Sequence, residues 1–536
     1  MLDPSVYPDT FARDGLPPFA LWPEFEGLGA LGYPNRLNAA VELLDKAVAA
    51  GFGPRLAIRT LAATWTYEEL LDKANRIAAV LVNDLGLVPG NRVLLRSANN
   101  AMKAACWLGV LKAGGIAVAT MPLLRAQELS YMLVKAKVQF AFCDASLADE
   151  LERAASPDLK TVYFHIEAAD GLEARMARQS GSFESVIPSH DDVALIAFTS
   201  GTTGQSKATV HFHRDVLAIA DSLPRHVLKP TPDDVFLGSA PFAFTFGLGA
   251  MLVFPLRYGA SAVMLEKPTA ENMLSAIERD GVSRLFTVPT HYRSMTPLAA
   301  GYDVSSLKTC ISSGEHMPVA VFEGWFRATG LRLINSIGST EMLHAFVANL
   351  ETHRIPGSVG QPIAGYRAMV VDDDMKPLPA GQVGRLAVRG PTGCRYFDDP
   401  ERQMKYVRDG WNLTGDAFET DEEGNLWYHA RTDDMIISAG YNISGAEVEG
   451  ILLQHPQIAE CAVVGLPNEE RGQIVAAYVV LRDGAQTDDA MKRELQDLVK
   501  SQIAPYKYPR SIDFVVSLPK TITGKIQRSA LRDGGQ

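Results

Sequence analysis

Cysteine is scarce in this chain of 536 residues: Cys106, Cys143, Cys310, Cys394 and Cys461 are scattered, and no two form a Cys-x-x-Cys pair. That spacing speaks against a zinc centre or a disulfide framework and predicts five reduced, buried thiols. Long apolar runs are missing as well. The longest, Ala240 to Leu256, contains Pro241, Thr245 and Pro255, and it stops short of the roughly 20 residues a bilayer span requires. A buried segment is expected there, and no membrane association. The N-terminus, Met1-Leu2-Asp3-Pro4-Ser5, has no basic stretch leading into an apolar one, so no secretory leader is expected and the location is read as cytoplasmic. Excess positive charge is absent too. The net charge of −11 argues against a broad nucleic-acid or anionic-membrane surface, and an anionic ligand would need cations gathered locally. Repeats and low-complexity tracts are not found.

What remains is an ordinary folded composition, 47% hydrophobic and 21% charged, in a chain longer than one core supports. Short apolar runs such as Arg92–Leu95, Gly115–Ala119, Val138–Phe142 and Ser261–Leu265 alternate with helical patterns such as Tyr67 to Val82. The latter is entered at Thr66, with Glu68 and Glu69 in its first turn. This alternation predicts an α/β fold with largely parallel sheets flanked by helices. From about Asp372 the texture becomes Gly- and Pro-rich, which reads as a β-rich subdomain. After Arg431 a compact α+β tail follows, with helices near Ala446–Leu453 and Asp489–Ile503 and strands near Cys461–Val464 and Val475–Leu481. The expected division is residues 1–432 and 433–536, joined near Asp433.

The most informative stretch is Thr199-Ser200-Gly201-Thr202-Thr203-Gly204-Gln205-Ser206-Lys207, which follows the apolar run Val193–Phe198. Glycines let backbone N–H groups close around an anion, hydroxyls donate to its oxygens, and Lys207 neutralises charge. This is the chemistry of a triphosphate cradle, although Ser206 rather than glycine precedes the lysine, so it is not a Walker loop. Four further segments accompany it: Asn335-Ser336-Ile337-Gly338-Ser339-Thr340-Glu341, Thr414-Gly415-Asp416, Arg431-Thr432-Asp433-Asp434 and Pro519-Lys520-Thr521-Ile522-Thr523-Gly524-Lys525. The carboxylate of Asp416, placed after a tight turn, suits a ribose diol. Each segment alone is ordinary, since a Thr-Gly-Asp is usually a hairpin turn and a Gly-Lys usually solvated. Their joint occurrence in this order is what carries weight.

Together they resemble the adenylate-forming superfamily of acyl-CoA synthetases, peptide-synthetase adenylation domains and luciferases, from about Asn38 to Arg532. The resemblance implies that residues 199–207 cradle the ATP phosphates and that Gly314, Glu315 and His316 flank the adenine with Asn335, Ser336 and Ile337. It implies that Thr340 meets the α-phosphate, that Glu341 holds Mg²⁺, and that Asp416 and Arg431 bind the ribose. Asp433 would be a hinge and Lys525 the lysine of the first half-reaction, carried on a mobile C-terminal domain. Rotation at the hinge would then present Ser438, Ala439, Gly440 and Tyr441 to a pantetheine tunnel. Ala430 departs from the glycine usual before that arginine.

Substrate preference is read from fewer residues. Phe242, Phe244 and Phe246 beside Gly247 and Gly249 suit the wall of a flat-ring pocket. Gly338-Ser339-Thr340-Glu341-Met342-Leu343-His344 resembles the benzoate–CoA ligase branch. Asp9–Pro18, followed by Leu21-Trp22-Pro23-Glu24-Phe25, looks most like 2-aminobenzoate–CoA ligases. Phe242, Phe244, His291, Gly338 and His344 are therefore the candidate acyl pocket, with His291 a candidate reader of an ortho substituent. Ala504–Arg510 resembles medium-chain acyl-CoA synthetases and keeps an aliphatic acid open. Coenzyme A is the expected acceptor, with Arg471, Lys507 and Arg510 as candidate phosphate contacts; a free-standing enzyme loading a carrier protein is the alternative. A nucleotide-binding regulator without catalysis and a light-emitting oxygenase are more remote. Lys525 is further a candidate for reversible acetylation by an acetyltransferase and deacetylase, which would remove its charge.

Overall fold

The computed structural model describes residues 2–199, 206–350, 354–438, 441–468, 471–482, 485, 487–503, 505–521 and 524–533. Two large sheets share one interior. The first has six strands in the spatial order Lys160–Phe164, Phe140–Asp144, Arg92–Arg96, Ile116–Thr120, Val193–Thr199 and Lys207–Phe212. All neighbours are parallel except the last pair, which forms an antiparallel hairpin. The apolar runs read from the sequence are these strands, most of them buried on both faces, as parallel strands covered by helices must be. Between the sheets lies the helix Ala101–Lys112, every residue of which is buried.

The second sheet is a long ribbon of fourteen strands among the described residues. Ile334–Gly338, Thr309–Ser312, Arg284–Thr287, Val235–Gly238, Ser261–Val263 and Leu56–Arg59 run parallel. Beyond Ile334–Gly338 the ribbon turns antiparallel through Ala345–Ala348, Ser358–Pro362, Leu426–Arg431 and Trp411–Thr420 to Gly384–Arg389 and Arg367–Val371. The change from parallel to antiparallel pairing comes between Gly338 and Ala345, well before Asp372, where the shift in texture is expected.

A smaller C-terminal domain has its own five-stranded sheet and its own core around Val448, Val463, Val475, Leu495 and Val499. Its helix Asp489–Gln502 starts at Asp488, whose carboxylate accepts from the Met491 N–H. The same device starts the helix Tyr67–Ala79, where Thr66 and Glu69 form a reciprocal capping box. Several boundaries move by a few residues; Val138 and Gln139, for example, precede the strand Phe140–Asp144 instead of opening it. Lys137 at φ +45° closes the helix Ala126–Lys135, and the Val138 N–H still bonds back to Leu133.

Candidate active site

The parallel strands of the long ribbon end on a common edge, where open α/β sheets place their ligands. Thr287 leads from there into Pro289–Met295, Ser312 into Gly314–His316, and Gly338 into the Thr340–Glu341 turn. That turn lies between two antiparallel strands paired Gly338 to Ala345, and it is tight enough to force Leu343 to φ +66°. Side chains from distant parts of the chain hold it. The Tyr396 hydroxyl donates to Glu341 Oε1 at 2.7 Å, Thr392 Oγ1 donates to the Met342 carbonyl at 2.7 Å, and His211 Nε2 lies 2.8 Å from the Thr340 carbonyl. A carbonyl only accepts, so Nε2 carries the His211 proton; burial pushes this histidine down to about 4 and keeps it neutral.

Ser200, Gly201, Thr202, Thr203 and Gly204, expected from the sequence to cradle phosphate, lie outside the described residues. Their flanks do not: Thr199 and Lys207 face each other as the last pair of the antiparallel hairpin, so the segment between them joins its two strands.

Asp416 and Arg431 are cross-strand partners. Arg431 Nη1 donates to Asp416 Oδ1 and to the Thr414 carbonyl, each at 2.9 Å. Gly415 sits at φ +75°, a left-handed conformation in which another residue would be strained, and a Cβ there would stand 2.7 Å from Arg431 Nη2. The two partners are perturbed unequally. Burial pushes the Asp416 carboxyl up against the pull of Arg431, whereas the guanidinium, partly open to water, keeps its charge with Asp416 beside it.

His316 stacks on Tyr428, with ring centroids 5.6 Å apart and planes at 29°, and burial lowers it to about 4. Glu315 is fixed by Thr290, whose hydroxyl donates to Oε2 at 2.7 Å. Asn335 and Ser336 turn their side chains to backbone carbonyls, Ser358 at 3.0 Å and Ser312 at 3.1 Å. Ile337 is half-buried beside them.

Lys525 is presented on a tight turn in which the Gly524 N–H bonds the Thr521 carbonyl and the Lys525 N–H bonds Thr521 Oγ1. Its ammonium stands in the field of Glu315, Asp416 and Glu341, and of the Arg431 guanidinium. Crowding by surrounding protein, opposed by those carboxylates, draws its pKa down. Yet the side chain remains open to solvent. Dense surroundings and water access together describe a group at the mouth of a wet cleft, so the displacement is small in energetic terms.

The aromatic wall is built on the Ala240–Leu256 segment, which is largely buried. Phe246 and Phe254 approach His344 with centroids at 5.6 and 4.6 Å, and Phe286 closes the cluster 6.0 Å from Phe246. A Cβ on Gly249 would lie 2.4 Å from His344 Cδ2, which is why glycine occupies that position. His344 is fully enclosed and pushed down to about 3 by burial, so it is a neutral ring among rings. Phe244 is half-buried at the start of the helix Thr245–Leu248, while Phe242 turns the other way, into the interior beneath the wall. His291 lies in the first turn of the helix Pro289–Met295; Glu315 is its charged neighbour and burial lowers its pKa.

On the C-terminal domain, Ser438 is buried and paired with Tyr441, and Tyr441 is exposed and stacked on Tyr506 at 4.4 Å. Ala439 and Gly440 lie outside the described residues, as does the side chain of Asp433. Arg471 Nε reaches Ser438 Oγ at 3.4 Å. Lys507 is held by both oxygens of Glu447 at 2.7 Å, and Arg510 lies over the Tyr508 ring at 4.7 Å.

With the geometry in place, the chain can be compared with known proteins. Residues 45–396 match the AMP-binding enzyme family, and residues 447–525 match the AMP-binding enzyme C-terminal domain. The chain belongs to the AMP-binding enzyme family. It is 35% identical to the benzoate–CoA ligase of Thauera aromatica over 94% of this chain and 97% of that one. The crystal structure of the anthranilate CoA ligase AuaEII in complex with anthranoyl-AMP superimposes with a TM-score of 0.89 at 31% identity, covering 95% of this chain and 99% of that one. The benzoate CoA ligase of Burkholderia xenovorans LB400 does so with a TM-score of 0.85 at 30% identity, covering 92% and 100%. Within the adenylate-forming superfamily, this AMP-binding enzyme falls in the benzoate–CoA ligase branch and is an acid–thiol ligase.

The sequence motifs did not bring out Tyr396, His211, Thr392 or Tyr428. Tyr396 sits in Arg395-Tyr396-Phe397 with nothing local to mark it. Its link to Glu341 exists because residue 396 bridges to Thr209 and the Val210 N–H bonds the Arg395 carbonyl, which carries the tyrosine beside the turn.

Proposed function

We propose that the enzyme joins an aromatic carboxylic acid to coenzyme A through an acyl-adenylate, with benzoate or 2-aminobenzoate as the acid. The observation that carries this reading is convergence: Lys525 stands in the field of Glu341, Asp416 and Arg431 near the strand ends, and an aromatic cluster packs around His344, on the same turn as Glu341. Similarity to benzoate–CoA and anthranilate CoA ligases supports the aromatic class.

In the first half-reaction an oxygen of the acid attacks the α-phosphorus of ATP, the bond to the pyrophosphate oxygen breaks, and pyrophosphate leaves with the electron pair. Two anions must meet, and the residues supply what that requires. Lys525 bridges acid and α-phosphate, Thr340 donates to the phosphate, and Lys207 with residues 199–204 holds the β- and γ-phosphates. Gly314, Glu315, His316 and the strand Asn335–Ile337 frame the adenine, while Asp416 and Arg431 fix the ribose. Among the described residues no cluster of three or more metal-ligating side chains occurs. Glu341, with only Oε1 engaged by Tyr396, fits Mg²⁺, which is held by one or two carboxylates together with substrate phosphates. When bound there, the ion would neutralise phosphate charge.

In the second half-reaction the thiolate of coenzyme A attacks the acyl carbon and AMP leaves. Rotation about Asp433 of residues 433–536 relative to 1–432 withdraws Lys525 and brings Ser438–Tyr441 to the acyl carbon, with Arg471 near the coenzyme. Phe244, Phe246, Gly338, His291 and His344 shape the acid pocket. Lys525 charge removal by acetylation would silence the first step alone.

The test is pyrophosphate release with ATP, Mg²⁺ and benzoate, 2-aminobenzoate, 2-hydroxybenzoate, hexanoate or octanoate, with and without coenzyme A. Coenzyme-dependent turnover on an aryl acid is the expected result. Preference for the alkyl acids would overturn the aromatic reading, and turnover indifferent to coenzyme A would overturn the acceptor.

A further inference from the structure

The wall of the aromatic pocket is not fixed by packing alone. Behind it lies a small apolar cavity lined by Trp107, Ala117, Ala119, Ala197, Phe242 and Thr245, so the segment Ala240–Thr245 has space to yield on its inner side. What meets its backbone is a side chain from the other sheet. Asn99 follows the strand Arg92–Arg96 and is 5% exposed. Its Nδ2 donates to the Ala240 carbonyl at 3.0 Å, and its Oδ1 accepts from the Phe242 N–H at 2.9 Å. Both ends of the amide are engaged two residues apart on the same strand of backbone, as a neighbouring β-strand would engage them. The amide also lies 3.9 Å from Met251 Sδ, farther along the same buried segment.

Lys103, in the first turn of the helix Ala101–Lys112, strengthens this corner. Its ammonium donates to the Ser97 and Thr120 carbonyls at 2.7 and 2.9 Å and lies 5.1 Å from the Phe242 ring centroid. Downstream the wall folds back on itself: a Cβ on Gly247 would sit 2.5 Å from the Ala240 and Pro241 carbonyls. The position of Ala240 is thereby passed to the helix Thr245–Leu248, and so to Phe246 against His344.

We propose that Asn99 is a positioning residue for the acid substrate: by clamping Ala240 and Phe242 across the two sheets it sets where the aromatic wall stands. The inference rests on the pocket assignment above, and it concerns the acid without concerning the nucleotide. Removing the amide leaves the buried Phe242 N–H and the part-buried Ala240 carbonyl unpaired beside a cavity, and the wall relaxes into that space.

The experiment compares wild type, Asn99→Ala, Asn99→Asp and Phe246→Ala in the pyrophosphate-release assay with benzoate, with 2-aminobenzoate in parallel, and measures AMP binding by calorimetry. Asn99→Ala is expected to raise the KM for benzoate about tenfold while the KM for ATP and the affinity for AMP stay within about twofold. Asn99→Asp keeps the acceptor for Phe242 but sets a carboxylate oxygen against the Ala240 carbonyl, so the acid KM should rise at least as far as in Asn99→Ala. An unchanged acid KM in Asn99→Ala, or acid and ATP constants rising together, would overturn the proposal. Should Asn99→Ala bind no AMP, Asn99→Asp decides by the same two criteria. Phe246→Ala separates the two levels of inference. If it leaves the acid KM untouched, the pocket assignment fails and takes the Asn99 proposal with it. If it raises the KM while Asn99→Ala does not, the pocket stands and Asn99 has no part in it.

Discussion

Glu341 and Asp416 are the two buried carboxylates of the cleft, 9% and 8% exposed, so burial does not distinguish them. Their partners do. Asp416 accepts from a guanidinium, Arg431, while Glu341 accepts from a neutral phenol, Tyr396. A cation beside a carboxylate offsets its field and leaves hydrogen-bonding geometry as its main asset, which suits a neutral diol. A phenol orients a carboxylate and leaves its charge in place, which suits a cation or a charged transition state. The choice of donor thus fits the same side-chain chemistry to the two tasks proposed for it, and Lys525 stands in the field of both.

The sharpest break in this comparison is the group between them. Lys525→Ala should lower adenylate formation by about 10³-fold, as loss of a preorganised charge at a reacting phosphate does. Thioester formation from supplied acyl-adenylate should persist; equal loss of both half-reactions would remove Lys525 from its assigned place. Next comes a matched pair of isosteric changes. Glu341→Gln should cost about 10²-fold in the first half-reaction at saturating ATP, since charge is what it contributes. Asp416→Asn should leave that rate nearly intact and raise the KM for ATP about tenfold. Steady-state kinetics on the two variants that came out alike would erase the distinction drawn here. A finer cut is Tyr396→Phe, which removes one hydrogen bond from Glu341 and should raise the Mg²⁺ concentration for half-maximal activity roughly threefold. A titration of activity against Mg²⁺ that overlays the wild-type curve would show the phenol to be irrelevant to the carboxylate.

Legibility in the sequence followed how local each feature is. The strand Val193–Thr199, the start of the helix Tyr67–Ala79 at Thr66 and the face of Met491, Leu495 and Val499 are set by residues within a few positions of each other, so pattern and composition expose them. Asp416 and Arg431 were each visible in their own segment, though only pairing of the two strands makes them a couple. Tyr396 on Glu341, His211 on Thr340 and His316 on Tyr428 join positions 55, 129 and more than a hundred residues apart. No local pattern announces such pairs, because tertiary packing creates them. The aromatic cluster at Phe242–Phe246 shows a subtler failure. Its composition pointed to a wall, but composition does not fix the direction of each ring, and Phe242 is buried beside Asn99 and Lys103 while Phe246 packs on His344. Residues 200–204 carry the strongest sequence signal and lie outside the described residues, so there the sequence remains the fuller witness.

The five scattered cysteines acquire a meaning beside a reaction whose second substrate is itself a thiol. All five are buried, and burial pushes every one of them up, Cys143 and Cys310 to about 12 and the other three well beyond the ordinary range. A thiol exchanges with a disulfide only as an exposed thiolate. Incubation with coenzyme A disulfide should therefore change neither activity nor the five thiols titrated after denaturation; a mixed disulfide detected by mass spectrometry would contradict this. An enzyme that handles a sulfur nucleophile at every turnover has kept its own sulfurs out of the exchange, and oxidation of its substrate pool becomes a loss of supply and not a loss of catalyst.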